Sequence, residues 1–284
     1  MTPPYTQIKR KQPFIAPRKG IFMERKRIDV ELDTIPVQFH TLLTDADVFD
    51  SSCSPAARVL FIHKDGGYFL KSSAAGSLQR EATMTAYFHE KGLSAQVLAY
   101  EAGEQDWLLT RALPGRDCLD AMYLNNPLRL CDTTAELLRR LHEAPCADCP
   151  AGNRTAQRLA LAAQNYETGN VEEGLFPDNW GYASPAEAKA VLDEFGGHLK
   201  ADCLLHGDYC LPNILLDDWR FSGFIDVAAG GVGDRHMDLH WGLWSLWFNL
   251  KTDAYQERFL DVYGRDAVNP DLLRAVAAIE ALGA

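Results

Sequence analysis

Two neighbouring segments, LLHGDYCLPNILL and GFIDVAAGGVGDRHMDL, place Asp208, Asn213 and Asp226 in one short stretch of chain. Those residue types at that spacing can carry phosphoryl transfer. The chemistry needs one carboxylate near the accepting hydroxyl, and an amide oxygen plus a second carboxylate to hold Mg²⁺ between nucleotide phosphates. Asp208 would orient and deprotonate the hydroxyl, and Asn213 and Asp226 would be the metal ligands. The apolar residues around them set the geometry. Ile214, Leu215 and Leu216 read as a short strand, Asp217 and Asp218 as a turn, and 221–227 as the returning strand. A hairpin of that size brings Asn213 and Asp226 to the same end, close enough to share a cation.

The upstream run ARVLFIHKDGGYFLKSS reads as two more strands, 59–63 and 68–71, joined by a turn over 64–67. Lys71 then stands at a strand end, aimed at phosphates. A cation there needs an anion to hold it, and QREATMTAYFHEKG supplies Glu81 on a helix ten residues later. Before these strands, FDSSCSPAARV is rich in small hydroxylated residues but lacks the GxxxxGK[ST] signature, which excludes a Walker-type nucleotide site.

The set HGDxxxxN, then FID, then GDRxxDL resembles the aminoglycoside phosphotransferases, especially the 3′-phosphotransferase branch, over roughly residues 40–280. The resemblance implies an α+β, two-lobed protein-kinase-like fold, with a small antiparallel-sheet N-terminal lobe and a mostly helical C-terminal lobe. Residues 23–110 would form the first lobe, 111–114 the hinge, and 115–284 the second, with the catalytic hairpin 204–227 inserted in it. It also implies that Lys71 and Glu81 pair to bind the α- and β-phosphates, that Ser52 and Ser54 cover the phosphates, and that Phe69 stacks on adenine. Arg111 and Leu113, with Thr110 and Ala112, would line the hinge. Backbone groups read the base there, so ATP is the expected nucleotide and GTP stays open. On the acceptor side the resemblance points to Glu172, Glu173 and Asp178 in an acidic insertion, and to Glu280 near the C-terminus. Asp234 and Asp238 are expected to be structural, fixing Arg235 and a helix start, and His206 to hold the catalytic loop.

Composition agrees with an enzyme of this size. The 284 residues, 47% of them hydrophobic, suffice for two lobes with sizeable cores. A net charge of −11 disfavours nucleic acid as a partner and favours a small cationic one. No apolar run approaches a membrane span; WGLWSLWFNL is read as a core helix. Seven cysteines without a secretory signal point to a reducing cytoplasm, and Cys146 and Cys149 to incidental thiols. Cys210 is the thiol whose modification would crowd Asp208. The first 22 residues are basic and Pro-containing; they read as a tail or as an upstream extension before Met23. Oligomeric state has no signature.

The acceptor side departs from the family pattern. Ala228 and Ala229 follow Asp226 where Gly and a polar or basic residue are usual, and the chain ends AIEALGA, with Glu280 in place of an acidic pair followed by aromatics. A kinase of another small hydroxylated metabolite, such as an amino alcohol, sugar or macrolide, is the alternative. A non-catalytic nucleotide-binding pseudokinase would require erosion at Asp208, Asn213 or Lys71, and none is eroded.

Overall fold

The computed structural model describes residues 26–53, 55–171 and 181–283. The segment 1–22, Ser54, and the acidic residues Glu172, Glu173 and Asp178 lie outside the described residues. The described chain forms two compact units, 26–120 with Pro212–Ala228, and Ala121–Leu211 with 229–283.

The first unit is built on six antiparallel strands: β1 (Lys26–Arg27), β2 (Asp47–Asp50), β3 (Ala57–His63), β4 (Tyr68–Ala74), β5 (Val97–Glu101) and β6 (Gln105–Arg111). Their spatial order is β1-β2-β3-β4-β6-β5. Helix α1 (His40–Leu43) precedes β2, and α2 (Gln79–Glu90) connects β4 to β5. Strict alternation splits the two faces of β3 and β4. Leu60, Ile62 and Leu70 are buried with Val48, Phe39, Trp107 and Leu109, whereas Val59, Phe61, Phe69 and Lys71 remain half-buried on the other face. The β3–β4 turn places Asp65 and Gly66 at φ 47° and 89°, with Gly67 N–H donating to the Lys64 carbonyl at 2.8 Å. Asp65 and Gly66 are the central residues of this four-residue turn, and Gly67 is also left-handed, at φ 95°, which is why an Asp-Gly-Gly run suits this position.

A second sheet, ordered β10-β9-β7, joins β7 (Arg116–Asp117), β9 (Ile214–Asp217) and β10 (Arg220–Phe224). Arg116 pairs with Leu216, and Cys118 N–H donates to the Ile214 carbonyl at 3.1 Å. These bonds attach residues 115–120 and the hairpin to the sheet-bearing unit, rather than to the helical one as the sequence had indicated. Three further details differ from expectation. Lys71 lies in the middle of β4, not at its end. The return strand stops at Phe224, opposite Ile214, the first residue of β9, and a register shift between Phe221 and Gly223 leaves Ser222 bulged within it. Residues Val227–Ala229 then form a single 3-10 turn.

The second unit carries α3 (Ala121–Leu124), α4 (Pro127–His142), α5 (Arg154–Thr168), α6 (Pro185–Phe195), α7 (His236–Leu250), α8 (Gln256–Tyr263) and α9 (Pro270–Ala281), with a small sheet of β8 (Cys203–Leu205) and β11 (Gly231–Gly233). The α+β class expected from sequence is thus observed. Helix α4 opens with Pro127 in its first turn and buries Leu130, Thr134, Leu137, Leu138 and Leu141 along one stripe. Helix α9 is buried on most sides, and its Val276, Ile279 and Ala281 meet Val191, Leu192, Leu205 and Met237 in one core.

Within this core Asp238 is fully buried on the first turn of α7. Its carboxylate accepts the His206 N–H at 2.7 Å and the Gly207 N–H at 2.8 Å, with His142 Nε2 at 3.3 Å. Burial holds the His142 imidazole below its ordinary pKa despite that carboxylate. Asp234 instead accepts the backbone N–H groups of Lys200 and His236 and binds the His236 ring at 2.6 Å. Neither residue fixes Arg235; both hold backbone amides that the sheet leaves unpaired. Replacing Asp238 with Ala should orphan two buried amides, each costing about 1–3 kcal/mol, for a total loss of about 2–5 kcal/mol in urea unfolding. A loss below about 1 kcal/mol would contradict the account.

Candidate active site

In the sheet-bearing unit three charges converge. Lys71 Nζ lies 2.9 and 2.7 Å from the two carboxylate oxygens of Glu81 and 3.4 Å from Asp226 Oδ1. The Lys71 and Glu81 side chains are only 21% and 14% exposed, whereas Asp226 is 57% exposed. Burial alone would pull the Lys71 ammonium down, but the Asp226 and Glu81 carboxylates outweigh it and hold its pKa above the ordinary value. The elements explain the meeting. β4 aims Lys71 away from the sheet core, the first turn of α2 carries Glu81, and the hairpin delivers Asp226.

Asp226 has φ 55°, a left-handed conformation that costs a non-glycine residue energy and is held only where the surroundings enforce it. Two flanking bonds do so. Ile225 N–H donates to the Asn213 carbonyl at 3.0 Å, and Arg80 Nε donates to the Ala228 carbonyl at 2.5 Å. The first bond also ties Asn213, which is buried, to the foot of β10, so both expected metal ligands sit at one end of the hairpin. Arg80 was not legible as a positioning residue. Its one signal is adjacency to Glu81.

The expected nucleotide residues occupy the same unit. Phe69 shares the half-buried face of the sheet with Lys71 and tilts against Phe61 at 5.1 Å, with Phe49 beyond it at 6.2 Å from Phe61. Leu113 packs where a side chain on Gly223 would stand. Arg111 directs its guanidinium to the Asp65 carbonyl at 2.8 Å and over the Tyr68 ring, so only its backbone faces the hinge role. Ser52 accepts the Val59 N–H on its hydroxyl and donates its own N–H to Asp50, which closes the β2–β3 loop. That hydroxyl also holds the Asp50 carboxyl below its usual range.

In the helical unit Asp208 is half-buried on a loop pinned at several points. Asp238 holds the amides of His206 and Gly207, Asp208 N–H donates to His206 Nδ1 at 3.3 Å, the Tyr209 hydroxyl donates to the Thr134 carbonyl at 2.7 Å, and Leu211 N–H donates to Ser245 Oγ at 2.9 Å. Gly207 has φ 84°, and a Cβ there would strike the Ala229 carbonyl, so glycine is required. Cys210 is buried and desolvation raises its thiol well above the ordinary value, which disfavours the modification considered from sequence.

Glu280 does not stand free to grip a ligand. It forms an ion pair with Arg158, the two side chains being 18% and 22% exposed. The aromatic helix α7 also departs from a plain core. Leu246 is buried, but Trp241, Trp244 and Phe248 are half-buried; Trp241 meets Trp244 edge-on at 5.5 Å, and Trp244 stacks on Phe248 at 4.8 Å. Among the described residues, no group of three or more His, Cys, Asp or Glu could hold a metal by itself, and no helix is long and apolar enough to cross a membrane.

Residues 49–278 match the phosphotransferase enzyme family. A probable aminoglycoside 3′-phosphotransferase of Lactococcus lactis subsp. lactis (strain IL1403) is 44% identical over 259 residues, covering 91% of this chain and 98% of that protein. The crystal structure of an aminoglycoside-3′-phosphotransferase of type VIII is similar with a TM-score of 0.64 at 27% identity, over 82% of this chain and 91% of that one. A Streptomyces rimosus aminoglycoside phosphotransferase in complex with ADP and streptomycin shares the fold, with a TM-score of 0.65 at 23% identity over 89% of this chain and 99% of that one. With Lys71 clamped between Glu81 and Asp226 and the family match spanning both units, the chain belongs to the phosphotransferase enzyme family.

Proposed function

We propose that this protein transfers the γ-phosphoryl group of ATP to the 3′-hydroxyl of an aminoglycoside and thereby confers resistance to it. The observation that carries the reading is the Lys71 ammonium held by Glu81 and Asp226. The Lactococcus relative, alike over nearly its whole length, supports the acceptor class.

Lys71 binds α- and β-phosphate oxygens, and Glu81 keeps its ammonium extended toward them. Asp226 and Asn213 offer one carboxylate and one amide at the same hairpin end, hard oxygen donors that suit Mg²⁺ when phosphate oxygens complete its shell. The ion, when bound, neutralises charge on the β- and γ-phosphates. Phe69 offers the adenine ring a stacking partner, and the backbone of 111–113 reads its edge. Asp208 accepts the proton of the 3′-hydroxyl as that oxygen bonds to the γ-phosphorus and the bond to the bridging oxygen of ADP breaks. The net charge of −11 favours encounter with a polycationic acceptor in the cytoplasm.

Replacing Asp208 with Asn should lower kcat by about 10²–10⁴-fold while leaving nucleotide affinity within about threefold. Near-full activity in that variant would remove Asp208 from the mechanism. Lys71→Met should raise the KM for ATP by at least about tenfold, and Glu81→Gln by less, because Asp226 still faces the ammonium. Equal effects, or none, would contradict the clamp. For the acceptor, Mg²⁺-dependent ADP release should be stimulated by kanamycin or neomycin and not by streptomycin. Stimulation by none of the three would overturn the aminoglycoside assignment.

A further inference from the structure

Beside the loop that carries Asp208, the helical unit has a small, partly open pocket of about 10 Å³, room for about one water-sized group, lined by Gly207, Arg154, Arg158, Trp241, Met237 and Glu280, among others. Gly207 immediately precedes Asp208, so the pocket borders the loop that carries the base proposed above. The charges in it are the reverse of what a polyammonium ligand wants. Two guanidinium groups, Arg154 and Arg158, one turn apart on α5, face a single carboxylate. That carboxylate is already engaged, since Glu280 receives the Arg158 ion pair and a hydrogen bond from the Trp241 side chain. Arg154 is likewise spent, on the Ala229 carbonyl and the Gln157 amide oxygen. Arg158 has one buried donor left over: its Nε has no hydrogen-bond partner among the described residues. A buried N–H without an acceptor is costly, and a ligand oxygen is the group that would relieve it.

We infer that Arg158 is a specificity-determining residue that withdraws Glu280 from the acceptor, so that this cavity receives an oxygen-bearing group, a hydroxyl of the acceptor, in preference to an ammonium. The inference rests on the phosphotransferase reading for the place of Asp208, and otherwise on the Arg158–Glu280 pair alone. An incoming ammonium would have to displace a guanidinium from a half-buried carboxylate while standing beside a second guanidinium. A hydroxyl meets no such competition and can accept from Arg158 Nε. Burial raises the Glu280 carboxyl to about 7 against the opposing pull of Arg158, which further reduces its value as a grip for a cation.

The test is a matched pair of acceptors, neomycin and paromomycin, which differ by an amine in place of a hydroxyl on one ring. Dissociation constants are measured by calorimetry on the full chain, independently of turnover. The wild-type protein should bind paromomycin at least as tightly as neomycin. Arg158→Met should shift that ratio toward neomycin by about tenfold or more, and adding Glu280→Gln should cancel the shift. Arg158→Gln, which keeps a neutral donor for Glu280 and so protects the fold, should shift the ratio in the same direction. An unchanged ratio in both Arg158 variants would overturn the inference. So would a loss of about tenfold or more in neomycin affinity from Glu280→Gln alone, since Glu280 would then already be gripping the drug. A wild-type protein that shows the binding shift but releases no ADP with either drug would count against the reaction and leave this assignment standing.

Discussion

One ammonium between two carboxylates organises the sheet-bearing unit. Lys71 takes Glu81 from α2 and Asp226 from the hairpin, so one partly buried cation faces a carboxylate from each of the two elements. The cluster carries one positive charge against two negative ones. Such a group is electrostatically incomplete, and its exposed member is Asp226, the carboxylate with most access to solvent. A divalent cation at Asp226 would reverse the sign of the cluster and leave it complementary to polyphosphate. The left-handed conformation of Asp226 fits the same logic. Backbone strain is held there by the bonds to Asn213 and Arg80, which point one carboxylate outward at a fixed place.

The helical unit solves a different problem by similar means. The loop that carries Asp208 has no ladder to satisfy its amides. The fully buried Asp238 supplies the acceptors for His206 and Gly207, and Thr134 and Ser245 fix the residues that follow. A buried carboxylate is acceptable here because it meets several N–H groups. Gly207 then lets the backbone pass the Ala229 carbonyl at a distance no side chain would permit.

Much of this was readable from the chain. Asp208, Asn213 and Asp226 fall within nineteen positions, and Lys71 and Glu81 are ten apart on a strand and the helix after it, so local spacing and the family resemblance together single these residues out, and the meeting of Lys71 with Glu81 is observed. The sheet followed from alternation over 59–71. What escaped was set by tertiary contact or by local geometry that residue types do not encode. The return strand ends at Phe224 because its partner β9 begins only at Ile214, and pairing of Arg116 with Leu216 attaches the hairpin to the sheet-bearing unit. Arg158 and Glu280 are 122 positions apart, so nothing in the sequence announced that the carboxylate near the C-terminus would be taken by an arginine. The apolar look of WGLWSLWFNL likewise concealed that Trp241, Trp244 and Phe248 stay half-buried in a row of ring contacts.

The central claim is that the Lys71, Glu81 and Asp226 cluster is completed by a metal-bound nucleotide. The most direct measurement is calorimetric titration of ADP into the protein with Mg²⁺ present and with the ion chelated, in the wild type and in Asp226→Asn. The account predicts that Mg²⁺ tightens binding by at least about tenfold in the wild type, and that the difference largely disappears in the variant. Equal affinity with and without Mg²⁺ in the wild type, or a metal effect of the same size in Asp226→Asn, would contradict it.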